Sequence, residues 1–97
     1  MVRRAAKVDN AQPGIVRALR SVGAEVWITG QPVDLLVAFR GQWTPIEIKS
    51  SEADAKRCRT GTEQRQREHR NRAEKANCSI PVVWTEDMAL RAIGAVK

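Results

Sequence analysis

The sequence predicts a small α/β domain, and three observations carry that prediction. Ile15, Val16, Leu19 and Val22 recur at helical spacing near the start of the chain. Two β-rich apolar runs, 33–39 and 43–48, flank the short polar connection Arg40-Gly41-Gln42, and three-residue loops containing Gly are common in hairpins. A long polar helical stretch then leads to a further apolar run, IPVVW at 80–84. The length of that excursion suits a crossover between parallel strands. Ninety-seven residues are enough for one domain and not two, so 1–97 reads as a single unit with a basic, flexible stretch at 1–8.

In chain order, Asp9 or Asn10 is placed to cap the first helix, with Pro13 tolerated in its first turn and Gly23 as its stop. EVWIT at 25–29 is a short first strand, and Gly30-Gln31-Pro32 is a turn. The run 35–39 is continuously apolar, which predicts a strand covered on both faces. Pro45 removes a ladder donor from the next strand and suggests a bulge or an unpaired side. Residues 50–59 read as a polar loop leaving the end of that strand. Thr60-Gly61-Thr62-Glu63 has capping-box spacing and opens a helix that runs to about Ala76. Its least charged stripe, Thr62, Gln66, His69, Ala73 and Ala76, is expected to face the sheet, with His69 a half-buried packing residue. Thr85 caps a last helix with Glu86 and Asp87 in its first turn, Met88, Leu90 and Ile93 as its apolar contacts, and Gly94 as its end.

Composition narrows the function classes. With 17 basic and 11 acidic residues the chain carries a formal charge of +6, which favours a polyanionic partner. Nucleic acid fits better than a membrane, because no long apolar run has basic flanks and no signal peptide is visible. Cys58 and Cys78 lack metal-ligand spacing and His69 is the sole histidine. Zinc is therefore disfavoured, and reduced thiols in a cytoplasmic setting are the expectation.

Chemistry is suggested by Asp34, Glu47 and Lys49, which interrupt the apolar runs. Glu47 and Lys49 are two apart on one strand and share a face. With the turn centred near Gly41, Asp34 lies opposite Ile48. Two neighbouring carboxylates repel unless a cation sits between them, and an all-oxygen site suits Mg²⁺. The plainer alternative is a Glu47–Lys49 ion pair at a strand end, worth about 0.2–1 kcal/mol if exposed.

Pro32-Val33-Asp34 followed by Glu47-Ile48-Lys49 resembles the core motif of the PD-(D/E)xK phosphodiesterase superfamily. The extra Val33 is similar to archaeal Holliday-junction resolvases. Asp9-Asn10-Ala11-Gln12, followed by Ile15 and Ala18-Leu19, resembles small phage and bacterial nucleases of the VRR-NUC type. The resemblance spans Asp9 to about Ile93. It implies a restriction-endonuclease-like αβββαβ core, a mixed four-stranded sheet flanked by helices, and a C-terminal helix.

The function implied is a metal-dependent endodeoxyribonuclease, structure-selective for junction, flap or branched DNA rather than sequence-specific. Mg²⁺ is the expected ion, with Mn²⁺ able to substitute. Asp34, Glu47 and the Ile48 carbonyl are the implied ligands, and Asp9 or Gln12 adds to them; for Asp9 a simple helix cap is the competing reading. Lys49 is implied to position or activate water. Gln66 with His69, as QREH, matches a Gln near the start of the second helix, with Gln64 as the competing register and a plain surface glutamine as the alternative. Lys56, Arg57, Arg59, Arg65, Arg67 and Arg70 are expected on the DNA backbone. A homodimer would supply two sites for two strands. Trp43 or Trp84 is available to such an interface, although a core role is expected for each. The setting expected is the cytoplasm of a bacterial or phage-infected cell. The alternative is a DNA-binding module of the same fold without cleavage.

Overall fold

The structure, a computed structural model, describes residues 11–97. The basic stretch at 1–8 and the Asp9 and Asn10 readings lie outside the described residues. The element order is α1 (Gln12–Ser21), β1 (Glu25–Ile28), β2 (Leu35–Phe39), β3 (Gln42–Ile48), α2 (Glu52–Lys56), α3 (Gly61–Lys75), β4 (Val82–Val83) and α4 (Glu86–Ala92). The four strands form one mixed sheet in the order β1-β2-β3-β4. The first three pair antiparallel, and β4 joins β3 in parallel through the expected helical crossover.

The hairpin is tighter than the sequence suggests. Gln42 already pairs with Phe39, so the connection is the two residues Arg40 and Gly41. Both have positive φ, 51° and 82°, the signature of the turn whose twist matches that of the flanking strands. The register is also shifted by one: Leu35 pairs with Ile46, so extending the ladder sets Asp34 against Glu47 rather than Ile48. Pro45 causes no bulge, since it sits in unbroken register opposite Leu36. Its missing donor lies on the other side of β3. There Glu47 N and Lys49 N donate to Pro81 O and Val83 O, and β4 does not extend back as far as Pro45.

One face of the sheet carries the core. Val26, Leu35, Val37, Ile46, Ile48 and Val83 are buried against Ile15, Val16 and Leu19 of α1 and Ala89 of α4. The helix spacing read from the sequence therefore marks the packed face of α1 at Ile15, Val16 and Leu19, whereas Val22, at the C-cap, is exposed. Its N-cap is Ala11, without a side-chain cap. Its end is a Schellman motif: Gly23 N donates to Arg20 O and Ala24 N to Leu19 O, with Gly23 at φ 90°. Helix α4 begins on the Thr85 cap as expected and lies close to α1, where a Cβ on Gly14 would come within 2.7 Å of Glu86 Oε2.

The opposite face is less covered than continuous apolarity in β2 implies. Leu36 and Ala38 are only half-buried, and Trp27 and Trp43 are 49% and 53% exposed with ring centroids 4.9 Å apart. The core role expected of Trp43 is therefore wrong, whereas Trp84 is half-buried. The reason lies in α3, which buries no residue and is too polar to seal an apolar sheet. Its inward residues include Gln66, His69, Arg70 and Ala73, while Thr62 and Ala76, assigned inward from the sequence, are exposed.

Candidate active site

Asp34 is fixed from both sides. Its backbone carbonyl accepts from Thr29 N at 3.0 Å and Gly30 N at 3.3 Å, which closes the β1–β2 connection. Its carboxylate Oδ2 accepts from Ile48 N at 2.7 Å. That peptide lies between Glu47 and Lys49, so one hydrogen bond ties the first acid to the second acid and the lysine. In a strand the N–H and C=O of one residue leave on the same side. The Ile48 carbonyl is therefore directed towards the Asp34 side of β3.

Glu47 is 1% exposed, although it is charged. Its Oε2 accepts from Arg70 Nη1 at 2.9 Å and lies 3.7 Å from Lys49 Nζ. Lys49 Nζ donates to Gln66 Oε1 at 2.6 Å. Gln66 and Arg70 are one turn apart on α3, so a single helical face delivers both partners. The start of the helix is fixed by a capping box: Thr60 Oγ1 accepts from Glu63 N, and Glu63 Oε1 accepts from Thr60 N and Arg59 N.

Burial pushes the Asp34 carboxyl above its ordinary range, offset in part by the Ile48 N–H bond and the Lys49 charge. The sign of the consequence is definite. A carboxyl whose folded pKa is raised subtracts stability at neutral pH and returns it as pH falls through the folded pKa. Asp34→Asn keeps an acceptor for Ile48 N and removes the partly buried charge. It is therefore expected to melt above the wild type at pH 7 in EDTA, with the gap narrowing near pH 4; thermal melts at both values check this.

The donor set fits a hard divalent cation. Two carboxylates and a strand carbonyl, from Asp34, Glu47 and Ile48, match in type Mg²⁺, which binds through one or two carboxylates and keeps several waters. The incompletely compensated Asp34 carboxylate is where such an ion would relieve a cost. Among the described residues no three His, Cys, Asp or Glu side chains are grouped as a metal cage.

A solved structure described as a VRR_NUC domain matches this chain with a TM-score of 0.63 and 20% sequence identity, covering 90% of this chain and 94% of that one. The chain has the VRR_NUC fold. No family model matches the sequence, and no curated protein matches it.

Within the VRR_NUC fold the site residues expected from sequence separate into two groups. Asp34, Glu47, Ile48, Lys49 and Gln66 come together. Gln64, the competing register, is exposed. Gln12 instead lines a surface cavity with Pro13, Val16, Arg17, Arg20 and Ile28. Of the residues assigned to DNA, Arg59, Arg65 and Arg67 are exposed. Lys56 and Arg57 are also exposed but engage Glu52 at 3.2 Å and Asp54 at 2.6 Å. These pairs belong to α2, a helix inside the stretch read as loop. Ser51 caps it by accepting from Asp54 N. The signal was present, since Ser51-x-x-Asp54 has the same spacing as Thr60-x-x-Glu63. Arg70 is the residue whose role the sequence reading missed: it faces Glu47 rather than solvent. Its i+4 spacing from Gln66 was the available clue.

Among the described residues no helix is long and apolar enough to cross a membrane. Cys58 and Cys78 are free thiols.

Proposed function

We propose that this chain is a metal-dependent DNA endonuclease that hydrolyses phosphodiester bonds. The observation that carries the proposal is the Asp34 Oδ2–Ile48 N bond, which draws Asp34, Glu47 and Lys49 to one place on a VRR_NUC fold. Asp34, Glu47 and the Ile48 carbonyl are the residues that would hold Mg²⁺, with Mn²⁺ as a substitute. When bound, the ion would supply Lewis-acid stabilisation of the phosphate and acidify water.

The chain's own residues do the rest. The Lys49 side chain is only 11% exposed, so its charge acts through little water on phosphoryl oxygens that gain charge during attack. Gln66 fixes that ammonium through its Oε1, which leaves its amide N–H groups to donate to a phosphate oxygen. Arg59, Arg65 and Arg67 are exposed and suited to the phosphate backbone. Contacts to the phosphate backbone carry no sequence information, so selection by DNA shape is the proposed mode. Binding should weaken with salt for all sequences alike. Arg67→Ala should lower the slope of log affinity against log salt by about 1, as fluorescence anisotropy at several salt concentrations would report.

A homodimer is part of this proposal, because one chain carries one site and duplex or branched DNA has at least two strands. The exposed Trp27–Trp43 pair supports an apolar contact. Sedimentation of the wild type should give a dimer, and Trp43→Ala should shift it towards monomer.

The test of function is a cleavage panel of four-way junction, flap, duplex and single-stranded DNA, with Mg²⁺ or Mn²⁺ and an EDTA control. Cleavage of branched substrates in metal and none in EDTA is expected. Salt-sensitive binding without cleavage of any substrate would instead favour the non-catalytic DNA-binding module.

A further inference from the structure

Glu47 is the one charged residue that is buried among those described, and its direct partner is Arg70. A buried carboxylate without a cation is unfavourable, so some cation must serve it before any metal arrives. Lys49 is poorly placed to be that cation. Its ammonium is 3.7 Å from Glu47 Oε2 and is already donating to Gln66 at 2.6 Å. Arg70 Nη1 is at 2.9 Å from the same oxygen. Its guanidinium nevertheless has a way out. The side chain is 25% exposed, and it stands on a helix that buries no residue and carries the exposed Arg67 one turn earlier.

We propose that Arg70 is the resident counter-ion of Glu47, that a divalent cation competes with it for this carboxylate, and that the released guanidinium goes to a DNA phosphate. This rests on the metal-dependent reading above and adds a regulation to it: metal loading and DNA binding are coupled through one side chain. A doubly charged ion at similar distance from the carboxylate has twice the Coulombic attraction of a guanidinium, so it can take Oε2 from Arg70. The freed guanidinium is planar and suits a phosphate oxygen pair. By linkage, whatever factor the metal adds to DNA affinity, DNA adds to metal affinity. In the metal-free protein Arg70 thus holds Glu47 in position and is itself withheld from DNA.

The experiment compares wild type, Arg70→Met and Arg70→Lys in two binding assays. Titration calorimetry gives the Mn²⁺ dissociation constant of the DNA-free protein. Anisotropy gives the affinity for labelled branched DNA in EDTA and in Ca²⁺, with DNA integrity checked on a gel. Removing the competitor should tighten Mn²⁺ binding by about fivefold or more in Arg70→Met. The gain in DNA affinity on adding Ca²⁺ should shrink by a similar factor. Arg70→Lys should fall between, and it keeps the test usable if the Met variant does not fold. Unchanged or weaker Mn²⁺ binding in Arg70→Met, with normal binding in the wild type, would overturn the exchange and leave Arg70 a structural tether. Absence of Mn²⁺ binding in the wild type would overturn the metal-dependent reading itself, and the exchange with it.

Discussion

Lys49→Ala should slow DNA cleavage by about 10²–10³-fold, the scale for removing one pre-positioned group that stabilises transition-state charge. DNA affinity should stay near wild type, because the surface arginines supply most of the backbone contact. The size of the effect follows from the surroundings of the ammonium. The Lys49 side chain is 11% exposed, and its ammonium donates to Gln66 Oε1 at 2.6 Å and lies 3.7 Å from Glu47 Oε2. Its charge is thus fixed before substrate arrives and costs no reorganisation during the reaction. Folding should survive, because Arg70 still pairs with Glu47 in the variant. Single-turnover cleavage with anisotropy and circular dichroism separates the three quantities.

Leu35→Ala should be the most destabilising of the simple core truncations beside the site. Leu35 is fully buried, lies on a central strand, and pairs with Ile28 on one side and Ile46 on the other. Truncating a buried Leu costs about 2–5 kcal/mol, against a total of about 5–15 kcal/mol for a domain. For a chain of this size that corresponds to a fall in Tm of at least about 8 °C. The loss is also local to the chemistry, since Leu35 follows Asp34 and Ile46 precedes Glu47. Differential scanning calorimetry checks the magnitude. A drop in cleavage at temperatures where the variant is still folded would show that this packing sets the distance between the two acids.

Much of this was legible in the chain because local signals agreed with one another. The capping box at Thr60–Glu63 and the Thr85 cap are written in short spacings and reappear as hydrogen bonds. The apolar face of α1 and the parallel crossover follow from periodicity and length. The proximity of Asp34, Glu47, Lys49 and Gln66 was readable because two strands and one helix start suffice to bring them near one another.

The misreadings have physical causes. The hairpin register depended on whether Arg40 accepts positive φ, a conformation that side chains other than Gly, Asn and Asp seldom adopt. Continuous apolarity in β2 did not show that α3 would be too polar to cover it. Arg70 looked like one more surface arginine, because its burial partner is 23 residues away in sequence. The α2 helix was missed although Ser51 and Asp54 spell its cap, because its five residues carry no buried position to give a periodic pattern.

The account stands on Asp34 and Glu47 jointly holding one divalent ion. Electron paramagnetic resonance counts free Mn²⁺ directly and needs neither DNA nor turnover. Titrated with wild-type protein, Mn²⁺ should be taken up at one site per chain, and Asp34→Asn or Glu47→Gln should each abolish that uptake. Undiminished uptake by either variant would contradict the shared site and, with it, the mechanism built on it.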